Sequence, residues 1–256
     1  MLNPSAGASR PAVLGRIEGG LVVSCQAPAG HPLRTPSVIA RLARAVALGG
    51  AVGLRVNSVP DLRAVKAVTS LPVIGIHKVA RKEGRDLITP RLQLAAGLAA
   101  AGADIIAVEA TAETHLHFGD PAILISKIRE ELGVPVMADV ATVSEGIRAW
   151  EAGADLVATT LSGYTGSPPP GSPGAASPGA TTQIPDLDLV AELHDRGILT
   201  VAEGRYGTPE HVGAAFRNGA FAVVVGTAIT DPAAITRRFA RFTPIAQLPD
   251  PDGMSR

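Results

Sequence analysis

The stretch Pro72-Val-Ile-Gly-Ile-His-Lys78 is a short apolar run that ends in a charged residue. Its length and its Val and Ile content are typical of a strand buried on both faces of a parallel sheet. Seven other runs have the same form. The eight predicted strands cover residues 20–24, 52–56, 72–77, 104–108, 134–138, 155–159, 198–202 and 221–225. A strand pattern that recurs along the whole chain predicts a repeated unit.

The segments between these runs are long enough for helices. Successive strand ends lie about 20 to about 45 residues apart, which leaves room for a loop, a helix and the return that parallel strands need. One segment carries apolar residues at Ile39, Leu42, Ala43 and Val46, on one face of a helix. Helices are predicted at 38–48, 92–101, 121–132, 143–152, 187–196, 209–218 and 232–242. This alternation predicts an α/β fold, a single (β/α)8 TIM barrel.

The length of 256 residues fits one such barrel. We expect a flexible N-terminus at 1–15, a catalytic barrel at 16–242 and a flexible tail at 243–256. Residues 163–183 are almost all Gly, Pro, Ser, Thr and Ala, which predicts a low-complexity loop after the sixth strand. A tolerated insertion is the favoured interpretation of this loop, and a lid over the catalytic rim is the alternative.

Charge and cysteine content exclude several classes of protein. Lys plus Arg number 23 and Asp plus Glu number 23, without a long run of one sign, so we expect no nucleic-acid partner. No stretch reaches the roughly 18 apolar residues of a membrane span, and residues 1–11 lack a signal-peptide core. Cys25 is the single cysteine, so no internal disulfide forms. We expect a cytoplasmic protein with a small-molecule partner, and exposed helix faces make a homodimer a reasonable expectation.

Chemistry in this fold lies at the C-terminal ends of the strands, and Lys78 follows the third run there. Alternation places Lys78 on the side of Ile74 and Ile76, pointing over the barrel mouth. A lysine at this position is a Schiff-base nucleophile, a general base with a lowered pKa, or a phosphate counter-ion. A solvated lysine at a strand end is the alternative without a function.

Glycine-containing turns follow the seventh and eighth strands. Gly204 lies between Glu203 and Arg205, and Gly226 precedes Thr227. Barrels commonly bind phosphate at these two loops, because backbone N–H groups and a short helical turn point at the anion. The turns predict a barrel of the phosphate-binding type and a phosphorylated substrate.

Polar residues also close four other strands. Arg55 and Asp139 do not belong in apolar strands unless they face a ligand or a partner charge, so a substrate pocket and a structural salt bridge both stay open. The same argument applies to Glu109 and Gln26. The six histidines are scattered without a clear ligand set, so we expect no metal site.

Several motifs together identify a family. The most specific are Ser24-Cys-Gln26 and Thr159-Thr-Leu-Ser-Gly-Tyr-Thr165. The others are Gly49-Gly-Ala-Val-Gly-Leu-Arg-Val-Asn57, Leu71-Pro-Val-Ile-Gly-Ile-His-Lys78, Met137-Ala-Asp139, Ala202-Glu-Gly-Arg205 and Val225-Gly-Thr-Ala-Ile-Thr230. Over residues 16–242, the chain resembles the N-acetylmannosamine-6-phosphate 2-epimerase family.

The resemblance implies an isomerase that interconverts N-acetylmannosamine 6-phosphate and N-acetylglucosamine 6-phosphate at C2, in sialic acid and amino-sugar catabolism. It implies no cofactor. The family's catalytic residues correspond to Lys78 and Glu203. Its substrate pocket corresponds to Gln26, Arg55 and Asp139, and its phosphate end to Gly204 and Gly226.

Three segments depart from the family pattern. Glu109-Ala-Thr-Ala-Glu-Thr-His-Leu-His117 stands where the family has Asp and then an Arg-Pro rich stretch. Val79-Ala-Arg-Lys82 replaces a more familiar Arg-Asp pair, and Asp231 occupies a position that is commonly basic. We expect changed substrate contacts at the first segment and weaker anion attraction at Asp231.

Two other functions are compatible with the same features. An aldolase or another lyase would use Lys78 as a Schiff base, whereas a non-catalytic sugar-phosphate sensor would need neither Lys78 nor Glu203. The number of bases is also open, because Glu203 either delivers a proton to the second face or orients Lys78. Burial would lower the pKa of Lys78 from about 10.4, and a close Glu203 would raise it.

Overall fold

Eight parallel strands close into a barrel in the computed structural model, which describes residues 10–81, 84–165 and 184–244. The strands are β1 Leu21–Cys25, β2 Gly53–Asn57, β3 Val73–Ile76, β4 Lys78–Val79, β5 Leu87–Ile88, β6 Ile105–Glu109, β7 Val136–Asp139, β8 Leu156–Ala158, β9 Thr200–Glu203 and β10 Ala222–Val225. Around the barrel the order is β1, β2, β3, β6, β7, β8, β9 and β10, and β10 pairs with β1. The predicted TIM barrel is confirmed.

Side chains alternate between the barrel interior and the surrounding helix layer. In β3, Ile74 and Ile76 pack inside the barrel, whereas Val73 packs with the outer core. Counting by two from the interior residues of each strand gives the inward positions at the C-terminal ends. These are Gln26, Arg55, Lys78, Glu109, Asp139, Thr160, Glu203 and Gly226. One rim of the barrel therefore collects the polar strand ends.

Helices fill the connections between strands, with small shifts from the predicted bounds. They are α1 Ala12–Gly15, α2 Pro36–Leu48, α3 Val59–Lys66, α4 Leu92–Ala100, α5 Ala112–Phe118, α6 Pro121–Lys127, α7 Val143–Glu151, α8 Leu187–His194, α9 Pro209–Arg217, α10 Thr227–Thr230 and α11 Pro232–Ala240. The helix expected at 121–132 ends in a π-helical turn at Ile128–Leu132. The pattern did not predict α3, α5 or α10, because short helices repeat an apolar face too few times.

Helix α1 closes the N-terminal end of the barrel. Leu14 in this helix and Ile17 after it are buried and pack with Phe221 in the interior core. Gly53 admits Ile17, since a Cβ at Gly53 would lie 2.9 Å from that side chain. The flexible N-terminus expected at 1–15 is thus too long, because residues 12–15 are helical and cover apolar surface that the strands leave open.

A two-stranded antiparallel hairpin, formed by β4 and β5, follows β3 at the mouth. Lys78 pairs with Ile88, and Ile88 packs in the interior core. Because paired residues on neighbouring strands share a face, Lys78 is on the hairpin face that is turned toward the barrel mouth. The sequence pattern did not predict this hairpin.

Several predictions concern residues that the structure does not describe. Residues 166–183 hold most of the low-complexity loop predicted at 163–183, and they lie outside the described residues. The same is true of 1–9 in the predicted N-terminus and 245–256 in the predicted tail. In the described part of the chain, no helix is both long and apolar enough to cross a bilayer.

Candidate active site

Arg55 lies at the centre of a buried polar cluster at the barrel mouth. Its side chain is 1 % exposed, and its Nη atoms donate to the two carboxylate oxygens of Asp139 at 2.9 and 2.7 Å. Nη1 also donates to Glu203 Oε2 and to the Thr160 hydroxyl, and Thr160 donates to Asp139 Oδ1 at 2.5 Å. We call Arg55, Asp139, Thr160 and Glu203 the central network. The salt bridge left open by the sequence is present.

Mutual pairing explains why these charges are tolerated at the end of an apolar interior. A buried charge is costly unless a partner charge and hydrogen bonds compensate it. Burial alone would lower the pKa of Arg55, but the charges of Asp139 and Glu203 outweigh burial and raise that pKa. Arg55 therefore stays positively charged at all pH values of interest.

Glu203 is the carboxylate of this network that reaches the open mouth, with 13 % of its side chain exposed. The Thr159 hydroxyl accepts from Glu203 N at 3.1 Å and donates to Glu203 O at 2.9 Å, so the backbone at this position is fixed. Burial raises the pKa of Glu203 to about 7, against the opposing charge of Arg55. A carboxyl group with this pKa can both take and give a proton near neutral pH.

Lys78 lies on the opposite wall of the mouth from Glu203. In the closed barrel, β3, which leads to Lys78, is four strands away from β9 in either direction. Lys78 N donates to Asn57 Oδ1 at 2.9 Å, which holds the backbone at the start of the hairpin. The Lys78 residue is exposed, so a ligand in the mouth can reach its ammonium group.

The surroundings of Lys78 shift its protonation equilibrium. Although the residue is exposed, the walls of the mouth remove part of the solvent around the ammonium group, and this partial burial lowers its pKa. Arg55 lowers the pKa further, while Glu203, Asp86 and Asp139 act in the opposite direction. The net pKa lies below the ordinary value of 10.5, which favours a role in proton transfer.

Gln26 presents an unused amide oxygen. Its Nε2 donates to Ser24 Oγ at 2.7 Å, and its Oε1 is buried without a partner in the described part of the chain. A buried acceptor of this kind is costly unless a ligand supplies the donor. Cys25, by contrast, packs in the outer core, and burial raises the pKa of its thiol to about 12, so the thiol is not a nucleophile.

Glu109 is completely buried, and its carboxylate is saturated by hydrogen bonds from the protein. Arg85 Nη1 donates to Oε2 at 2.8 Å, and Arg85 Nη2 donates to Oε1. Thr111 Oγ1 donates to Oε1 at 2.6 Å, and Ile88 N donates to Oε2 at 3.2 Å. A carboxylate has about four acceptor positions, so none is left for a ligand. Glu109 is therefore not available for the substrate contact predicted for it. We call Arg85 and Glu109 the rim pair.

The predicted phosphate end lies where β9 and β10 end side by side. Gly204 has a φ of +103°, a conformation that favours glycine, and a Cβ at Gly226 would lie 3.3 Å from the Ser24 side chain. Thr227 begins α10, whose first N–H groups have no acceptor within the helix. Backbone N–H groups can therefore approach a ligand closely here.

The Arg205 side chain binds groups of the protein itself. Its Nη1 donates to Ser162 O at 2.6 Å and its Nε donates to Ile184 O at 2.8 Å, while the guanidinium carbon lies 5.6 Å from the centre of the Tyr164 ring. These contacts join the two described ends of the connection between β8 and α8. The phosphate role predicted for Arg205 is thereby reduced to its backbone N–H.

Asp231 is used as a helix cap. Its Oδ1 accepts from Ala234 N at 2.9 Å at the start of α11, and it lies 3.8 Å from His31 Nε2. The residue immediately follows α10, next to the predicted phosphate end. An acidic group at this location opposes anion binding through its charge.

Thr160 closes the sixth strand pattern and lies in a family motif, but the predicted site residues did not include Thr160, Asn57 or Asp86. Thr160 is two residues beyond Ala158, and Asn57 is two beyond Arg55, so the same count by two would have found both. Asp86 is two residues before Ile88, on the mouth side of the hairpin. The sequence pattern did not predict this hairpin.

The geometry suits proton transfer to and from a small anionic molecule. Lys78 and Glu203 have pKa values shifted toward neutrality from opposite sides, and such pairs are typical of acid–base catalysts. Lys78 and Glu203 lie on opposite walls of one mouth. The carboxylates of Asp139 and Glu203 hold Arg55 in place.

Comparison with known proteins gives one consistent family. A family model described as "Putative N-acetylmannosamine-6-phosphate epimerase" matches residues 39–244. A relative from Caldanaerobacter subterraneus subsp. tengcongensis, named "Putative N-acetylmannosamine-6-phosphate 2-epimerase", is 40% identical over 232 residues, which cover 90% of this chain and 93% of the relative. A relative of the same name from Cutibacterium acnes is 43% identical over 234 residues, with 89% and 95% covered.

Two solved structures are also similar to the chain, one to its sequence and fold and the other to its fold alone. The N-acetylmannosamine-6-phosphate 2-epimerase from Clostridium perfringens is similar with a TM-score of 0.78 and 35% identity, over 90% of this chain and 96% of that protein. A thiamine phosphate pyrophosphorylase from Pyrococcus furiosus has a TM-score of 0.54 and 12% identity, which supports the barrel fold alone.

Proposed function

The chain belongs to the N-acetylmannosamine-6-phosphate 2-epimerase family, and from this premise we propose how the barrel mouth performs the reaction. The protein is an isomerase that interconverts N-acetylmannosamine 6-phosphate and N-acetylglucosamine 6-phosphate. The reaction serves sialic acid and amino-sugar catabolism.

Epimerisation at C2 requires that a carbon-bound proton leave one face and return on the other. The C2 proton is acidic only when the sugar ring is open and C1 is an aldehyde, because its removal then gives an enediolate with charge on O1. Donor and cationic groups near that oxygen lower the barrier.

Lys78 and Glu203 are the two proton-transfer groups in our proposal. The observation that carries it is their placement on opposite walls of the mouth, with pKa values shifted toward neutrality from opposite sides. A sugar between them presents one face to each, so one group removes the proton while the other supplies one.

The pair works only while it holds a single proton. With two protons neither group is a base, and with none neither is an acid. The pH profile of kcat should therefore be bell-shaped. Its acid limb reflects the Glu203 pKa of about 7, and its alkaline limb reflects the lowered pKa of Lys78, below 10.5.

Arg55 and Gln26 support the substrate. Arg55 supplies a permanently positive charge close to both carboxylates, which moderates the negative charge that develops on the enediolate. Gln26 Oε1 accepts a hydrogen bond from an N–H or O–H group of the sugar. Asp139 does not contact the reacting carbon in this scheme; it holds Arg55.

The 6-phosphate is held by backbone N–H groups at the ends of β9 and β10. Gly204, Arg205, Gly226 and Thr227 supply these donors, and the two glycines allow close approach. The chemistry is proton transfer alone, so the proposal includes no cofactor. A homodimer and a cytoplasmic location stay predictions.

Deuterium exchange at C2 tests the two-group scheme. In deuterated water, followed by proton NMR, the wild-type protein should convert either sugar phosphate into the other with deuterium at C2. Lys78→Met and Glu203→Gln should each lower epimerisation about 100-fold to 10,000-fold, as expected for loss of an acid–base group. Each variant should still exchange the C2 proton of one epimer, and the two variants should exchange opposite epimers.

Other outcomes discriminate between mechanisms. If Glu203→Gln exchanges both epimers while Lys78→Met exchanges neither, Lys78 is the only base and the scheme is wrong. If Lys78→Met epimerises at the wild-type rate, Lys78 has no catalytic role. Circular dichroism of each variant shows whether the fold is intact.

A further inference from the structure

Lys78 lies in the β4–β5 hairpin, so the contacts that hold this hairpin determine where the ammonium group lies. At the base of the hairpin, Thr89 N donates to His77 O at 2.8 Å, and His77 N donates to Thr89 Oγ1 at 3.0 Å. Lys78 N donates to Asn57 Oδ1. These bonds fix the stem, but two strands of two residues each make too small a ladder to hold a hairpin by themselves.

The rim pair supplies a second attachment, at the far end of the hairpin. Arg85 lies in the loop between β4 and β5, and Glu109 is the last residue of β6, a barrel strand. The guanidinium donates to both carboxylate oxygens, and Ile88 N adds a bond from the hairpin backbone to the same carboxylate. Arg85 thus connects the segment that carries Lys78 to the rigid barrel wall.

Burial distinguishes this contact from ordinary surface ion pairs. The Glu109 side chain is 0% exposed and that of Arg85 is 21% exposed. Arg85 also contacts Glu113 at 3.0 Å, and Arg81 contacts Glu113, but the Glu113 side chain is 25% exposed. Surface pairs contribute little, whereas removal of one partner from a buried pair leaves an uncompensated charge.

We propose that Arg85 is a positioning residue for the epimerase reaction: through Glu109 it docks the β4–β5 hairpin on the barrel rim and holds Lys78 over the substrate. The inference rests on the proposed function of Lys78. Arg85 touches neither substrate nor reacting atoms in this role; it acts through the position of the hairpin.

Loss of Arg85 has a definite chemical consequence for Lys78. Water would have to reach the unpaired Glu109 carboxylate, and the hairpin would move away from the rim. The charged groups that face Lys78 are Arg55, Glu203, Asp86 and Asp139. A displaced Lys78 gains solvent and loses the repulsion of Arg55, the two causes that lower its pKa, so that pKa rises toward 10.5.

Arg85→Met in the full-length protein tests the proposal through steady-state kinetics over a range of pH. We expect kcat to fall about 100-fold, because a displacement of about 1 Å at a reacting group can cost that much. We expect KM to change less than about threefold, since phosphate and pocket contacts are unaltered. The alkaline limb of the kcat profile should move to higher pH, because Lys78 gains solvent and moves away from Arg55.

Arg34→Met is the matched control. Arg34 also pairs with a buried carboxylate, since its Nη1 lies 2.6 Å from Asp61 Oδ2, but no hydrogen bond or ion pair joins Arg34 to residues 78–81 or 84–88 of the hairpin. Its alkaline limb should stay at the wild-type pH. Guanidinium ion added to Arg85→Ala should restore part of kcat by occupying the vacated position, and should not restore Arg34→Ala.

The outcomes separate this inference from the proposed function. If folded Arg85→Met keeps both kcat and the alkaline limb, or loses kcat with the limb unmoved, Arg85 does not position Lys78, whatever the behaviour of Lys78→Met. If Lys78→Met is fully active, the proposed role of Lys78 in proton transfer is wrong, and the inference about Arg85 that rests on it is wrong as well. A fall in kcat, a moved limb and guanidinium rescue together support the proposal.

Discussion

The central network and the rim pair each join an arginine to a carboxylate at an inward-facing strand end, but the two carboxylates have different roles. Glu109 is fully buried and accepts four hydrogen bonds, so its pKa is lowered by Arg85 and Thr111 although burial acts to raise it. Glu203 keeps 13 % exposure and has a pKa of about 7. A strand-end carboxylate is available for chemistry only when its acceptors are left partly open.

The strongest test of this comparison breaks the central network at Asp139. Asp139→Ala should lower the free energy of unfolding by about 3 to 5 kcal/mol and abolish epimerisation, because Arg55 would stay buried without its bidentate partner. Urea unfolding followed by circular dichroism measures the loss. The double variant Arg55→Met/Asp139→Leu should recover most of the stability but none of the activity.

A loss smaller than about 1 kcal/mol in Asp139→Ala would contradict this account, since it would place the change among ordinary surface substitutions. Recovery of activity in the double variant would show that the charges of the central network are dispensable for turnover.

The pH dependence of stability sharpens the comparison, because the two carboxylates act with opposite signs. The raised pKa of Glu203 gives a contribution to stability that is complete below pH 4.5 and is lost as pH rises through about 7. The lowered pKa of Glu109 gives a contribution that is present above pH 4.5 and is lost as pH falls below that value. The Glu203 contribution should amount to about 3 kcal/mol at most, because each pKa unit corresponds to about 1.4 kcal/mol.

Urea unfolding of the wild type, Glu203→Gln and Glu109→Gln over this pH range measures both effects. Glu203→Gln should remove part of the decline toward pH 7, and Glu109→Gln should remove part of the loss in acid. The same sign of change in both variants would refute the contrast between the two clusters.

The smallest expected effect concerns Asp231 at the phosphate end. Asp231→Asn should lower KM for the sugar phosphate about threefold at low salt with kcat unchanged, because a repulsive charge is removed. Asparagine is also a good N-cap, so α11 should keep its start, and Asp231→Ala serves as the control that loses both charge and cap. An unchanged KM in Asp231→Asn at low salt would mean that Asp231 does not affect phosphate binding.

The strength of the sequence pattern decided which features could be predicted. The eight barrel strands repeat one apolar period, and the same period is enough to place Arg55, Asp139 and Glu203 on the inner rim. The β4–β5 hairpin and helix α1 are too short to show a period, so Lys78 was assigned to a strand end instead of a hairpin.

The departures from the family pattern are also explained only by the tertiary structure. Arg81 and Glu113 stand in two separate departing segments, and the structure brings them into contact beside the rim pair. Changes at positions that are far apart in sequence can therefore compensate each other. Arg205 also depends on the tertiary structure, because its side chain binds two carbonyl oxygens and only its backbone N–H is left for the predicted phosphate loop.

The sequence by itself determined the barrel, its chemical rim and the residues that face inward, because strand alternation and apolar burial are local properties of the chain. The tertiary structure decided which rim residues are free to act. Glu109 and Glu203 occupy equivalent strand ends, and only the groups packed against them make one an anchor and the other a proton-transfer candidate. That difference depends on hydrogen bonds between distant segments, and no local pattern encodes it.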